Sequence, residues 1–237
     1  MSIKQYRGAI ANANLKTIVL DNGAYEGEIV SDGQLVNVIQ DVAEIHKDAK
    51  IYPIIPDEMK DPEKTVERVK AFFTRIEEIP LPENVSFLGV IQVNPGLNLR
   101  MATRHSFSFA LKLLNLAKEY NVQLGGFAIP IWFYRRWKSR DCFARVLRIL
   151  MKHAYLHALG LDDINEVRQL RYLFNSFDST MPFTLAYYGK TFDQIPVLDL
   201  ETKKRLGIGR VPLKEEVPEN DLYMKNLEYV LKVCNGQ

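Results

Sequence analysis

The chain has 237 residues, 47% of them apolar, and a formal net charge of +2. That is enough for one substantial core, and too little charge for a histone-like polycation or an acidic tail. The cysteines, Cys142 and Cys234, lie far apart with no CxxC pair and no Cys/His ligand spacing, which argues against a zinc or disulfide framework and for a reducing compartment. No apolar run reaches the roughly 18 residues of a bilayer span. The opening MSIKQYRGAIANANLK lacks an apolar h-region, so a cytoplasmic protein without membrane contact is expected.

Short apolar runs then alternate with longer helical patterns. Strands are predicted over 4–10, 17–20, 51–55, 86–92, 123–129, 155–159 and 173–177, with a weak eighth over 195–200. Helices are predicted over 33–47, 62–79, 103–120, 140–153 and 162–171. In 62–79, Val66, Val69, Phe72, Phe73 and Ile76 recur at three- and four-residue steps while Glu63, Lys64, Glu67, Arg68 and Lys70 take the other face. Asp61 before Pro62 reads as N-cap then N1. The charged, proline-bearing stretch 202–219 reads as a loop leading into a last helix over 220–233, with Asn220 as its cap. Such alternation means α/β architecture with a parallel sheet, either open or closed into a (β/α)8 TIM-like barrel. Strand after strand ends in a polar or glycine signal, which favours the barrel as one domain over 1–237, with catalytic groups at the C-terminal strand ends.

Those strand ends carry the candidate residues. Asp178 stands at the mouth of the strand in LFNSFDSTMPFTLAYYG; a carboxyl there is costly unless hydrogen-bonded or put to use, and the plain alternative is a helix cap. Asp21 ends TIVL before Gly23, either as a working acid or as an Asx-turn with Tyr25 partly buried. Asp57 and Glu58 follow IYPIIP, where one of them could cap the next helix. Gln92 offers an acceptor and a donor suited to a purine edge. Gly125 and Gly126 allow either close ligand approach or close strand packing. His157 in an apolar run is a core histidine on residues alone. Between strands, Arg135, Arg136, Lys138 and Arg140 interleave with Trp132, Phe133, Tyr134 and Trp137. That mixture suits phosphates and unstacked bases, or else a solvated or protein-contacting face.

Taken together, six segments between about residues 17 and 189 resemble the tRNA-guanine transglycosylase family. Phe177, Asp178, Ser179, Met181, Pro182, Thr184, Ala186 and Gly189 follow its nucleophile pattern F-D-S/C-V-M-P-T-R-x-A-R-x-G, with the Thr slipped by one place. DNGAY resembles its D-S-G-G-F, FLGVIQVNPG its F-G-I-V-Q-G, QLGGFA its I-G-G-L-A and AYLHALG its Y-L-M-G-V-G. The resemblance implies Asp178 as nucleophile, Asp21 as general acid/base and Tyr25 stacked on the base. It also implies base recognition by Asp57, Gln92 and the main chain of Gly125 and Gly126, with His157 stacking where the family has Met. The family's arginines after the nucleophile are replaced, its Val-Gly-Glu after the glycine pair becomes Ile129-Pro130-Ile131-Trp132, and its Cys-x-Cys-x2-Cys…His zinc site is absent from the sequence.

The zinc module and those arginines are associated with engaging tRNA, so this small zinc-free chain looks more like the phage and bacterial enzymes that insert 7-deazaguanines into DNA. The expected function is therefore guanine replacement in DNA by a 7-deazaguanine such as preQ0 or a derivative, through a covalent glycosyl–aspartate, in the cytoplasm (of the host, if the source is viral). No cofactor and no metal are expected. DNA would be held by Trp132, Arg135, Arg136, Trp137, Lys138 and Arg140. The alternatives are a transglycosylase acting on tRNA, a nucleoside hydrolase, and a non-catalytic nucleic-acid- or purine-binding relative. Oligomeric state stays open.

Overall fold

The computed structural model describes residues 15–22, 31–209 and 220–236. The predicted strand over 4–10, and Tyr25, lie outside them. The chain forms six strands: β1 (Thr17–Leu20), β2 (Lys50–Pro53), β3 (Phe87–Val90), β4 (Leu124–Pro130), β5 (Tyr155–Leu159) and β6 (Ser176–Phe177). The helices are α1 (Asp32–Ile45), α2 (Pro62–Ile76), α3 (Leu99–Glu119), α4 (Ile131–Trp137), α5 (Asp141–Leu150), α6 (Ile164–Leu170), α7 (Met181–Tyr187), α8 (Leu200–Arg205) and α9 (Asn220–Cys234). The fold is α/β with parallel strands, built on the strand–helix repeat that the sequence implies. No helix among the described residues is long and apolar enough to cross a membrane.

Two compact units share the chain: Met1–Ala128 with Val146–Tyr155, and Ile129–Arg145 with Leu156–Gln237. In the first, β1 pairs with β2 in parallel, bridges Ile51–Val85 and Ile54–Leu88 carry β2 to β3, and β3 pairs with β4. All four residues of β3 are buried, as a strand covered on both faces must be. α1 begins with a capping box between Ser31 and Gln34 and buries Leu35, Val36, Ile39, Val42 and Ala43. α2 starts where Asp61 accepts from the Lys64 amide at 3.0 Å, and its Phe72 meets Phe87 edge-on at 5.7 Å. α3 begins four residues earlier than the periodicity predicts, because Asn98 accepts from the Met101 amide and starts the helix at Leu99.

The glycine pair of β4 answers to packing. A Cβ on Gly126 would lie 1.9 Å from the Tyr155 carbonyl oxygen, and one on Gly125 would meet Ser86 Cβ at 2.8 Å and the Tyr52 ring at 3.0 Å. Tyr52 is itself stacked on Tyr155, ring centroids 4.1 Å apart.

In the second unit β5 pairs with β6 in parallel, His157 opposite Ser176. The predicted strand 173–177 shrinks to two residues because the Leu173 and Phe174 amides still bond to Leu170 O as the end of a helix. The predicted strand 195–200 does not form. Val197 makes a single antiparallel bridge to Asp163, and Asp199 turns away to cap α8 by accepting from the Thr202 amide at 2.9 Å. α4, α7 and α8 carry no clear sequence signal: α4 and α7 begin without a side-chain cap, and α8 is only six residues long. The core here joins Leu161, Ile164, Val167, Met181, Leu185 and Phe192. Beneath it Asn226, 1% exposed, donates to Lys190 O and accepts from the Phe192 amide.

Candidate functional site

Each unit gathers one set of the candidate residues. In the first, three neighbouring parallel strands run out together, and the residues just past their C-terminal ends converge. Asp57, beyond β2, is held by two amides: Asn22 Nδ2 donates to its Oδ1 at 3.1 Å and Gln92 Nε2 to its Oδ2 at 2.8 Å. Asn22 also donates to Ile55 O at 3.0 Å, and Gln92 Oε1 accepts from the Lys60 amide at 2.9 Å. Burial raises the Asp57 carboxyl above its ordinary value; the two amides and Arg68 pull it back, and the charge of Asp21 adds to the rise. Asp21 acts on Asp57 as a like charge, secondary to burial. The combination resembles sites where an acid is tuned for proton work or for reading a donor-rich ligand.

Gln92 is 1% exposed with both ends of its amide engaged, so it orients Asp57 instead of offering an edge of its own. Asn22, which stands where the resembled D-S-G-G-F pattern has Ser, is the second arm of that clamp. Its signal was its place beside Asp21 at the end of an apolar strand. Glu58 faces Arg68 across 3.4 Å, and the cap of α2 is Asp61, so neither Asp57 nor Glu58 serves that role.

In the second unit Asp178 follows β6. The Asp178 Oδ1 takes His157 Nε2 at 3.1 Å and the Gly160 amide at 2.7 Å, while His157 Nδ1 lies 2.7 Å from Ser176 Oγ. A carboxylate can only accept, so the imidazole carries a proton on Nε2, and in the neutral ring Nδ1 accepts from the Ser176 hydroxyl. Asp178 caps no helix: Thr180 precedes α7, and the Met181 amide is taken by Ser179 Oγ at 3.0 Å. Its side chain is 51% exposed against 5% for His157. His157 is therefore a buried link, and its ring is not a platform on which a base could stack.

The basic, aromatic stretch after β4 divides. Arg140 is fully buried, which rules it out as a phosphate contact. Its guanidinium pairs with Glu166 at 2.7 Å through two nitrogens and donates to Ile129 O, Leu159 O and Gly160 O. Trp132 is 6% exposed and packs with Phe133 and Trp137, and Phe133 meets Phe143 in turn, so the Trp132 ring is likewise core. Arg135 is held by Asp162 at 2.5 Å, and Tyr134 donates to Asp163; burial first, and that hydrogen bond second, raise the Tyr134 hydroxyl well above the usual range. Arg136 and Lys138 are exposed, and Trp137 is partly so. Among the described residues no group of three or more His, Cys, Asp and Glu side chains could hold a metal ion.

No family profile and no curated protein matches the chain. Among solved structures it is similar to a D-psicose 3-epimerase from Clostridium cellulolyticum H10, described with D-tagatose. The two are 9% identical with a TM-score of 0.49, over 99% of this chain and 93% of that one. A likeness of that degree carries no chemistry across.

Proposed function

We propose that the chain is a base-exchange transglycosylase that replaces guanine in DNA with a 7-deazaguanine through a glycosyl–aspartate intermediate. The observation that carries this reading is the polarity of the Ser176–His157–Asp178 chain. In a serine hydrolase the carboxylate is the buried end and the hydroxyl the reactive one. Here the imidazole is buried and the carboxylate reaches solvent, so the group presented to a substrate is Asp178.

In the first half-reaction a bond forms between Asp178 and C1′ as the C1′–N9 bond breaks. The electron pair leaves with guanine, which takes a proton from Asp21. In the second, the incoming 7-deazaguanine loses its N9 proton to Asp21 and its nitrogen displaces the carboxylate from C1′. Two inversions give retention, as in glycoside chemistry with a base as acceptor. Asp57 suits base recognition, because guanine N1–H and its amino group are adjacent donors and the two carboxylate oxygens are already aligned by amides. In a duplex the target nucleotide must be flipped out, at a cost of about a few kcal/mol.

The test is incorporation of labelled preQ0 into duplex DNA and into bulk tRNA, run side by side with Asp178→Asn. Label in DNA, absent with the variant while base binding persists, is the expected result. Full activity in Asp178→Asn would overturn the nucleophile, label in tRNA alone would overturn the polymer, and abasic product would make the enzyme a hydrolase. Binding of both polymers without label in either would mean a non-catalytic relative.

A further inference from the structure

The Leu159–Gly160 peptide is held from two sides, and this extends the reading of Asp178 as nucleophile, on which it rests. Its carbonyl accepts from Arg140 at 3.0 Å, and its amide donates to Asp178 Oδ1 at 2.7 Å. The next carbonyl, Gly160 O, also accepts from Arg140, at 2.9 Å. A cation on the carbonyl side polarises a peptide and makes its N–H the stronger donor. Gly160 sits at φ +71°, where a side chain is strained, and a Cβ there would approach Ile131 Cβ to 3.1 Å. The turn is thus fixed by its dihedral, by Ile131 and by a buried guanidinium that Glu166 neutralises. The second donor on the same oxygen, His157 Nε2, is fixed by Ser176 behind it.

We infer that Asp178 Oδ1 is immobilised by a two-armed clamp, one arm His157 backed by Ser176 and the other the Gly160 amide backed by Arg140, so that Oδ2 is the oxygen that attacks. His157 and Arg140 are positioning residues. They touch no reacting atom, and act by fixing the carboxylate plane in the approach geometry. Two donors on one oxygen also concentrate the carboxylate's acceptor capacity there, leaving Oδ2 with none of the described hydrogen bonds to give up before it bonds to carbon.

The experiment compares wild type, His157→Met, His157→Gln and Asp178→Asn by single-turnover exchange of labelled guanine into duplex DNA, alongside ¹⁵N spectra of histidine-labelled protein. Gln can donate to Asp178 and accept from Ser176; Met can do neither. A misplacement of about 1 Å costs on the order of 100-fold, so His157→Met should lose about that much in the chemical step, with KM nearly unchanged. His157→Gln should recover to within about tenfold of wild type. The spectrum should show His157 protonated on Nε2 with Nδ1 accepting, and that signal should move in Asp178→Asn. Equal rates in the Met and Gln variants, or a ring protonated on Nδ1 alone, would overturn the clamp. No exchange by wild type, with the Nε2 signal intact and sensitive to Asp178→Asn, would overturn the transglycosylase reading and support the clamp.

Discussion

Asp57 joins two opposite pH dependences in one side chain. Burial favours its neutral form, so its folded value lies above the ordinary 3.8. Between 3.8 and that raised value the native state holds more protons than the unfolded one, and stability declines as pH rises through the window. If Asp57 reads guanine as proposed, it must do so in its charged form, and base affinity should fall as the medium is acidified through the same raised value, earlier than for an ordinary aspartate. Titrating guanine affinity and chemical stability against pH in wild type and Asp57→Asn checks both signs. The variant should show neither slope. Arg140 makes a different prediction. Removing it leaves Glu166 charged and buried without a partner, so Arg140→Met should cost about 3–5 kcal/mol in urea unfolding. Converting Glu166 to Leu as well should restore part of that, but not all, because three carbonyls lose the guanidinium as a donor.

Among the elements, β4 and α4 show where sequence reading succeeds and where it stops. The glycine pair of β4 was legible as either ligand approach or packing; only the 1.9 Å approach of a Cβ to Tyr155 decides for packing at Gly126. Backbone cannot yield as a flexible side chain can, so Gly126→Ala should destabilise by at least about 3 kcal/mol, measured by thermal or urea unfolding. α4 was invisible because it starts after Pro130 with no side-chain cap, unlike the equally short α6 that Asp163 caps, and its apolar and basic residues read as an exposed mixed patch. In the structure most of that mixture is spent internally. If DNA is the partner, Arg136→Ala with Lys138→Ala should weaken binding evenly across sequences and reduce the slope of log affinity against log salt by about 2. Arg135→Ala should act on the stability of the Asp162 contact.

At the scale of the molecule, the α/β class, the parallel sheet and six of the helices could be read from apolar period and caps, because those signals are local. The clamps were not legible. Asn22, Asp57 and Gln92 are separated by 35 residues at each step and meet only because three parallel strands end side by side. Ser176 and His157 meet through register, one strand against the next. Arg140 looked like a surface cation because nothing in its neighbourhood announces Glu166, 26 residues on.

The division of the chain has a consequence for synthesis. The first unit is not continuous: it runs to Ala128, leaves for Ile129–Arg145, and takes Val146–Tyr155 back. A nascent chain that has emerged only as far as Ala128 therefore lacks Tyr155, the ring stacked on Tyr52 and the backbone pressed against Gly126. Its folding must wait on the ribosome for nearly thirty more residues. Chains arrested at residue 128 should be protease-sensitive where chains arrested well beyond 155 are not, and no single cut should release the first unit as a body that refolds alone.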